Sequence, residues 1–363
     1  MGSIEKSAVQ ALLSTVIDPH NGVDLVAGKA VKAIEIHDNN VNVSLQLGYP
    51  AKSYLPQLQA SVREVLQALP GIGAVSVEVD VVITGHAVQQ SLKPLPNVKN
   101  IIAVASGKGG VGKSTTSVNL ALALTAEGAS VGILDADIYG PSIPTMLGLS
   151  GYPESKDNKT MQPKISFGVQ TNSIGYLVDQ DQAMIWRGPM VTGALQQLLK
   201  DTNWVDIDYL IIDLPPGTGD IQLTLAQQIP VSGAVIVTTP QDIALIDAQR
   251  GLSMFEKVNI PVLGIIENMS MHICSQCGHA EAIFGEGGGS AMAQKNGVTL
   301  LGALPLDINI RKNADAGRPT VVADADGPAA AMYKQIARKL AARLALKNKD
   351  YSSKFPNIVI QNT

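Results

Sequence analysis

The amino-acid sequence predicts an α/β protein, a doubly wound and mainly parallel sheet preceded by a small α+β domain. Three observations carry this reading. Beyond residue 100, apolar runs at residues 101–105, 131–134, 210–212, 234–237 and 262–266 are separated by stretches with helical spacing. Runs that are apolar on both faces belong to strands covered by helices on both sides. The first part of the chain reads differently, as short alternating strands around two helices. Finally, glycine is abundant (34 residues) and aromatics are scarce (4%), which suits buried aliphatic strands joined by tight turns.

In chain order, a helix-like stretch comes first. Residues 31–43 then form two β-branched runs around Asp38, Asn39 and Asn40, a hairpin signal. Leu55, Leu58, Val62, Val65, Leu66 and Leu69 recur at helical spacing, and Val75, Val77, Val79 and Val81 alternate as in a half-buried strand. The predicted order is α-β-β-α-β over residues 1–90. Residues 91–99, with Pro94 and Pro96 and no periodicity, read as a linker, and residues 100–363 as the larger domain.

Composition narrows the function classes. With 363 residues, 45% of them hydrophobic and 16% charged, the chain can bury more than one core, and disorder of the whole is excluded. The net charge is −4, so no global positive field collects phosphate backbones, and nucleic acid is not an expected partner. The longest uncharged stretch, residues 221–241, contains Gln222, Gln227, Gln228, Pro230 and Pro240, so no membrane span is expected. Two cysteines make no disulfide framework, and the opening residues lack a secretory signal, so a cytoplasmic setting is expected.

The chemistry starts at Gly107-Lys108-Gly109-Gly110-Val111-Gly112-Lys113-Ser114-Thr115, which follows the strand at 101–106 and opens a helix through Leu120, Leu122 and Leu124. This is a phosphate loop in the context that gives it meaning. Its glycines let successive N–H groups cup phosphate oxygens at a helix N-terminus. Lys113 is expected to reach the β- and γ-phosphates and Ser114 to ligate Mg²⁺ through its hydroxyl. The larger domain is thus expected to be a P-loop NTPase. Lys108 cannot easily fold back onto its own nucleotide, but it can reach one bound across a dimer interface, like an arginine finger in trans. The alternative is an exposed lysine without a role. After the strand at 262–266 stands Asn268, with no carboxylate to read guanine. Its amide can accept from adenine's amine and donate to a ring nitrogen, which points to ATP, or it can simply close a turn.

Both cysteines stand in His272-Ile273-Cys274-Ser275-Gln276-Cys277-Gly278-His279. Three readings are open: a redox pair, a zinc site, and half of an iron-sulfur cluster site completed by a second subunit. A redox pair should cap a strand early in a βαβ unit, which this pair does not. Four zinc ligands from eight consecutive residues are cramped, whereas zinc shared by two subunits is sound. Clusters usually take four thiolates, and a twofold homodimer would bring four together.

The phosphate loop resembles the deviant Walker A of the dimerising ATPases that include septum-site and partition proteins, the nitrogenase iron protein and iron-sulfur carriers. More narrowly, residues 104–119, 135–146, 186–190, 213–225, 239–242 and 267–270 with Cys274-x-x-Cys277 resemble the Mrp/ApbC family of iron-sulfur cluster carrier ATPases. The first ninety residues are similar to a small MIP-type assembly-factor domain. Several such domains carry a cysteine. This one reads Leu47-Gly48-Tyr49-Pro50-Ala51, so docking of a client or donor protein replaces a metal-holding role. The resemblance implies that Asp137 positions the attacking water, that Asp213 holds Mg²⁺ through its waters, and that Gly217 offers an N–H to the γ-phosphate. It further implies a homodimer that hydrolyses ATP slowly, bridges a 4Fe-4S cluster through Cys274 and Cys277, and passes it from donor proteins to apo-proteins. A zinc-clasped ATP switch of the targeting or partitioning type is the alternative. In the last helix Tyr333, Ile336, Leu340 and Leu344 share a face, and Lys334, Arg338, Lys339 and Arg343 are expected on a solvated basic face, with no membrane contact.

Overall fold

The computed structural model describes residues 4–89, 92–178, 188–274 and 276–349. In the N-terminal part the helix Lys6–Leu13 precedes β1 (Val31–His37) and β2 (Asn40–Leu47), and the helix Leu55–Gln67 precedes β3 (Val75–Val81). β1 and β2 form an antiparallel hairpin whose turn residues Asp38 and Asn39 have φ of 49° and 65°. Positive φ at both central positions matches the right-handed twist of the flanking strands, which is why short polar residues stand there. β3 lies parallel to β2, with Val41 opposite Val75 and Leu47 opposite Val81. Val41, Val43, Leu45 and Leu47 turn inward against Val9, Leu13, Leu58, Val62 and Leu66.

The larger sheet contains β4 (Val98–Ala105), β5 (Val131–Asp135), β6 (Lys164–Ser166), β7 (Val169–Ser173), β8 (Ile207–Asp213), β9 (Gly233–Thr238), β10 (Val262–Glu267) and β13 (Leu300–Ala303), while β11 (His272–Ile273) and β12 (Ala280–Glu281) form a separate hairpin. Its strand order is β13-β10-β9-β4-β8-β5-β7-β6, all parallel except β6. Helices cover both faces. Lys113–Ala126 and Pro328–Ala345 lie on one side, Gly188–Lys200, Asp220–Gln228 and Asp242–Lys257 on the other. The five apolar runs are the five consecutive strands β10, β9, β4, β8 and β5, the ones buried on both faces.

Three strands lie outside those runs. β7 has the sequence VQTNS, and its Thr171, Asn172 and Ser173 are fully buried. Partners make this tolerable: Asn172 Nδ2 donates to Thr202 Oγ1 at 2.6 Å, and the Ser173 hydroxyl donates to Asp135. β4 starts at Val98, ahead of the residues expected to begin the larger domain. Just before it, Gln89 Nε2 donates to the carbonyls of Ala226 and Ile229, and its Oε1 accepts from the Val231 N–H, so this stretch is bonded to the sheet domain. Of the resembling segment 186–190, Trp186 and Arg187 lie outside the described residues. No helix among the described residues is long and apolar enough to cross a membrane.

The last helix buries Tyr333, Ile336, Leu340 and Leu344 as its spacing predicts. Arg338 departs from the expected solvated face. Its side chain is only 14% exposed, and its guanidinium donates to Glu127 Oε1 (2.6 Å), Ser53 Oγ (2.6 Å) and His20 Nε2 (2.9 Å). Glu127 follows directly on the helix Lys113–Ala126 and is fully buried in its side chain, and it also accepts the Ser53 N–H and hydroxyl. On the far side, His20 meets Asp18, which accepts from the Tyr49 hydroxyl at 2.8 Å. Ser53 and His20 thus hydrogen-bond the small domain to a buried charge pair at the end of the phosphate-loop helix. Arg338→Ala leaves Glu127 without its cation and is expected to destabilise the chain by about 3 kcal/mol in urea unfolding. A loss below about 1 kcal/mol, the level of an exposed pair, would show that the carboxylate regains water.

Candidate functional site

The phosphate loop leaves β4 at Ser106, whose hydroxyl donates to the Lys108 carbonyl at 2.9 Å. Two of its glycines are required by close approach. A Cβ on Gly107 would lie 2.2 Å from the Asp247 carbonyl carbon, and one on Gly112, at φ 81°, would lie 2.2 Å from Asn268 Nδ2. Gly112 leads into the helix Lys113–Ala126, so the free N–H groups of that helix's first turn face the loop.

Asp213, at the end of β8, is completely buried and collects three side chains from this helix. Lys113 Nζ lies 2.8 Å from Oδ2, the Ser114 hydroxyl donates to the same oxygen at 2.5 Å, and the Ser117 hydroxyl donates to Oδ1 at 2.6 Å. On the neighbouring strand Asp135 is in register with Asp213. Burial first, and the negative charge of Asp213 second, push the Asp135 carboxyl up to about 7. Asp137 is also shifted upward, by partial burial above all, while Lys113 pulls the other way. The N–H of Asp137 donates to Asp135 Oδ1 at 3.1 Å.

Lys113, Ser114 and Asp137 border a cavity of about 1020 Å³. Lys108, Gly109, Gly110, Gly112, Lys113, Ser114 and Thr115 line one end together with Asp137, and Asn268 lines it further along. Asp213 stands behind Ser114 and Lys113 rather than in the wall. Gly107 and Val111 are not in the wall either. Gly107 packs on the helix Asp242–Lys257, and the Val111 carbonyl accepts from Asn268 Nδ2 at 2.8 Å. Asn268 therefore braces the phosphate loop and leaves its side-chain oxygen for other contacts. Gly217 does not aim its N–H at the cavity here, since that group donates to the Ser106 carbonyl at 2.9 Å.

Sequence reasoning overlooked three contributors. Ser117 sits one turn after Ser114, a spacing that could have flagged it. Asp135 is the first aspartate of the Asp-x-Asp pair. Residues 305–307, which form the wall beside Asn268 and Met269, carry no motif and are brought there only by the fold.

That wall also leads to the cysteines. The Leu306 N–H donates to the Met271 carbonyl at 2.8 Å, and His272 Nδ1 lies 3.1 Å from the Leu306 carbonyl, so the β11 strand hangs on the cavity wall. β11 and β12 pair antiparallel, the Cys274 N–H donates to the His279 carbonyl, and the Gly278 N–H donates to the Cys274 carbonyl, both at 2.9 Å. Gly278, with φ 71°, completes the reversal. Cys274 is half-buried, Cys277 is exposed, and both are free thiols. The backbone N–H groups of Gln276 and Cys277 lower the Cys274 thiol from its ordinary value. With His272 turned to Leu306, no three His, Cys, Asp or Glu side chains among the described residues gather into a metal cage.

Residues 97–341 match the family described as NUBPL iron-transfer P-loop NTPases, and residues 6–79 match that of an iron-sulfur cluster assembly protein. The iron-sulfur cluster carrier protein of Escherichia coli strain K12 is 53% identical over 322 residues, 88% of this chain and 87% of its own. The iron-sulfur cluster transfer protein NUBPL of Mus musculus is 50% identical over 254 residues, 69% of this chain and 80% of its own. Among solved structures, a nucleotide-binding protein from Archaeoglobus fulgidus in complex with ADP is 37% identical, with a TM-score of 0.55 over 64% of this chain and 90% of its own. The cell division ATPase MinD of Pyrococcus furiosus, 22% identical with a TM-score of 0.50 over 66% of this chain and 98% of its own, shares the fold. Family and fold agree with the phosphate loop, the Asp213 centre and the cysteine hairpin: the chain belongs to the iron-transfer P-loop NTPases and carries an iron-sulfur cluster assembly domain ahead of the NTPase domain.

Proposed function

We propose that this chain is an ATP-hydrolysing iron-sulfur cluster carrier that works as a homodimer, holds a 4Fe-4S cluster between Cys274 and Cys277 of two copies, and transfers it to apo-proteins. One observation carries the reading: a pair of free thiols, one half-buried and one exposed, hangs, through Leu306, on the wall of a phosphate-loop cavity. Four thiolates are the usual requirement of such a cluster, and each chain offers two. The names of the relatives, carrier and transfer proteins of iron-sulfur clusters, support the same function.

ATP enters with its phosphates on the N–H groups of residues 108–110 and 112–115 and its base toward Asn268, where Met269 and Leu306 offer apolar contact. Lys113 carries positive charge to the β- and γ-phosphates. Ser114 and Asp213 present hydroxyl and carboxylate oxygens at one point, a hard donor set that suits Mg²⁺, with Asp213 acting through waters. When bound, the ion neutralises phosphate charge. Asp137 orients the attacking water, and Lys108 reaches the partner's γ-phosphate and stabilises charge in the transition state. Gly217 joins the γ-phosphate only after its N–H leaves the Ser106 carbonyl, so this segment is a two-position element that nucleotide biases. The small domain has no cysteine and packs Leu47, Tyr49 and Ala51 inward, so we assign it to docking of donor or client proteins. Free thiols and the carrier role fit a reducing cytoplasm.

Anaerobic reconstitution with iron and sulfide should give a brown protein with about four irons per dimer. Cys274→Ala or Cys277→Ala should abolish the colour while nucleotide binding persists, whereas a colourless wild type with stoichiometric zinc favours the clasped switch. Lys113→Ala should lower ATP turnover on the order of 100-fold. Lys108→Ala should reduce kcat at least about tenfold with a smaller change in nucleotide affinity. Steady-state kinetics with unchanged turnover in that variant would refute the role in trans.

A further inference from the structure

We propose that Asp135 is the positioning residue of the hydrolytic step, a buried carboxylate that fastens both ends of the loop 137–143 and so fixes where Asp137 stands. The proposal rests on the hydrolytic reading above. It is carried by the way one side chain is shared. Asp135 Oδ1 accepts the N–H of Asp137 at 3.1 Å, while Oδ2 accepts the N–H of Ile143 at 3.2 Å and the Ser173 hydroxyl at 3.1 Å. Residues two and eight positions further along the chain are thereby held on the same carboxylate. The five residues between Asp137 and Ile143 form part of the cavity wall.

The side chain itself is not in that wall, and its exposure is zero. It therefore touches no substrate and acts only through the loop. Its backbone is locked in turn, since β5 places Asp135 in register with Asp213 on one side and Ser173 on the other, and the next residue, Ala136, donates its N–H to the Asp213 carbonyl at 2.9 Å. Asp135 is thus the rigid link between the Lys113–Ser114–Asp213 centre and Asp137.

Stability alone does not account for this acid. Burying a carboxylate is costly unless it is paired or fully hydrogen-bonded, and Lys113, the nearby cation, is engaged by Asp213 instead. An asparagine would avoid the charge but has a single acceptor oxygen. It could hold the Asp137 end or the Ile143 end of the loop, not both. The geometry needs two acceptor oxygens on one short side chain, and only aspartate supplies them at this depth.

Asp135→Asn in the full-length protein with Mg-ATP is the test. Its kcat should fall between about 10- and 100-fold, the effect of a misplaced reacting group. KM should stay within about threefold, because the phosphate-binding groups are untouched. Hydrogen exchange at the Asp137 and Ile143 amides should accelerate. Because Asp135 acts through Asp137, the double variant Asp135→Asn/Asp137→Asn should be no slower than Asp137→Asn alone. Multiplying effects, or an Asp135→Asn protein with normal kcat, would overturn the proposal. If that variant does not fold, Ser173→Ala removes one of the two donors on Oδ2 without altering charge. Its kcat should then drop by about two- to tenfold at constant KM, and unchanged kcat would overturn the proposal as well. Failure of the hydrolytic reading looks different: the wild-type chain itself would turn over no ATP, whereas failure here shows as a hydrolysing wild type whose variants keep pace.

Discussion

A single buried carboxylate organises the nucleotide end of this molecule. Asp213 lies at the C-terminal end of β8 with no exposure, and it survives there because Lys113, Ser114 and Ser117 from the first two turns of the next-door helix all point at it. An isolated ionised carboxylate in such a place would be prohibitive. The ion pair and two hydroxyl bonds therefore also fix the rotation of the helix about its own axis. With that rotation set, the free N–H groups of the first turn face the loop, and the loop's glycines lie against Asn268 and the helix Asp242–Lys257.

From the Asp213 centre two routes lead outward. One runs sideways along the sheet edge to Asp135, Asp137 and the loop 137–143. The other runs from the phosphate loop through Asn268 to Leu306 and the hairpin that carries Cys274 and Cys277. Neither route contains a long lever; each is a short series of hydrogen bonds between adjacent strand ends. Open α/β sheets bind ligands beyond the C-terminal ends of their strands, and here the thiol hairpin grows from the same edge. Hydrogen bonds to Leu306 join that hairpin to the cavity wall.

The opposite end of the phosphate-loop helix is held just as firmly. Glu127 and Arg338 form a buried pair to which Ser53 and His20 of the small domain are bonded, and Val43 and Leu45 of that domain belong to the same apolar cluster as Leu120 and Leu340. The two folding units thus share a core, and the small domain is hydrogen-bonded to an ion pair of the larger one. Removal of either charge would leave the other desolvated, which gives the junction its specificity.

How much of this was legible beforehand depended on how local each signal is. The five apolar runs mark the strands buried on both faces, because such strands must be apolar throughout; β7 escaped because its buried Asn172 and Ser173 are satisfied by partners distant in sequence. The phosphate loop was legible because its glycines, Lys113 and Ser114 are consecutive, and the cysteine pair because both thiols stand within one turn. Arg338 was misplaced onto solvent, since helical spacing shows the face a residue occupies but not the carboxylate waiting there. Asp135 gave no sign of a role apart from Asp137, and the Leu306 wall carried no motif at all. By itself, then, the sequence determined the sheet class, the phosphate-binding chemistry and the presence of two thiols three positions apart, all of which are encoded by neighbours along the chain. Only the tertiary structure decided that Asp213 gathers Lys113, Ser114 and Ser117, that Asn268 braces the loop, and that the cysteines hang on the cavity wall, because each of those contacts joins residues on different strands and helices whose distance is set by packing alone.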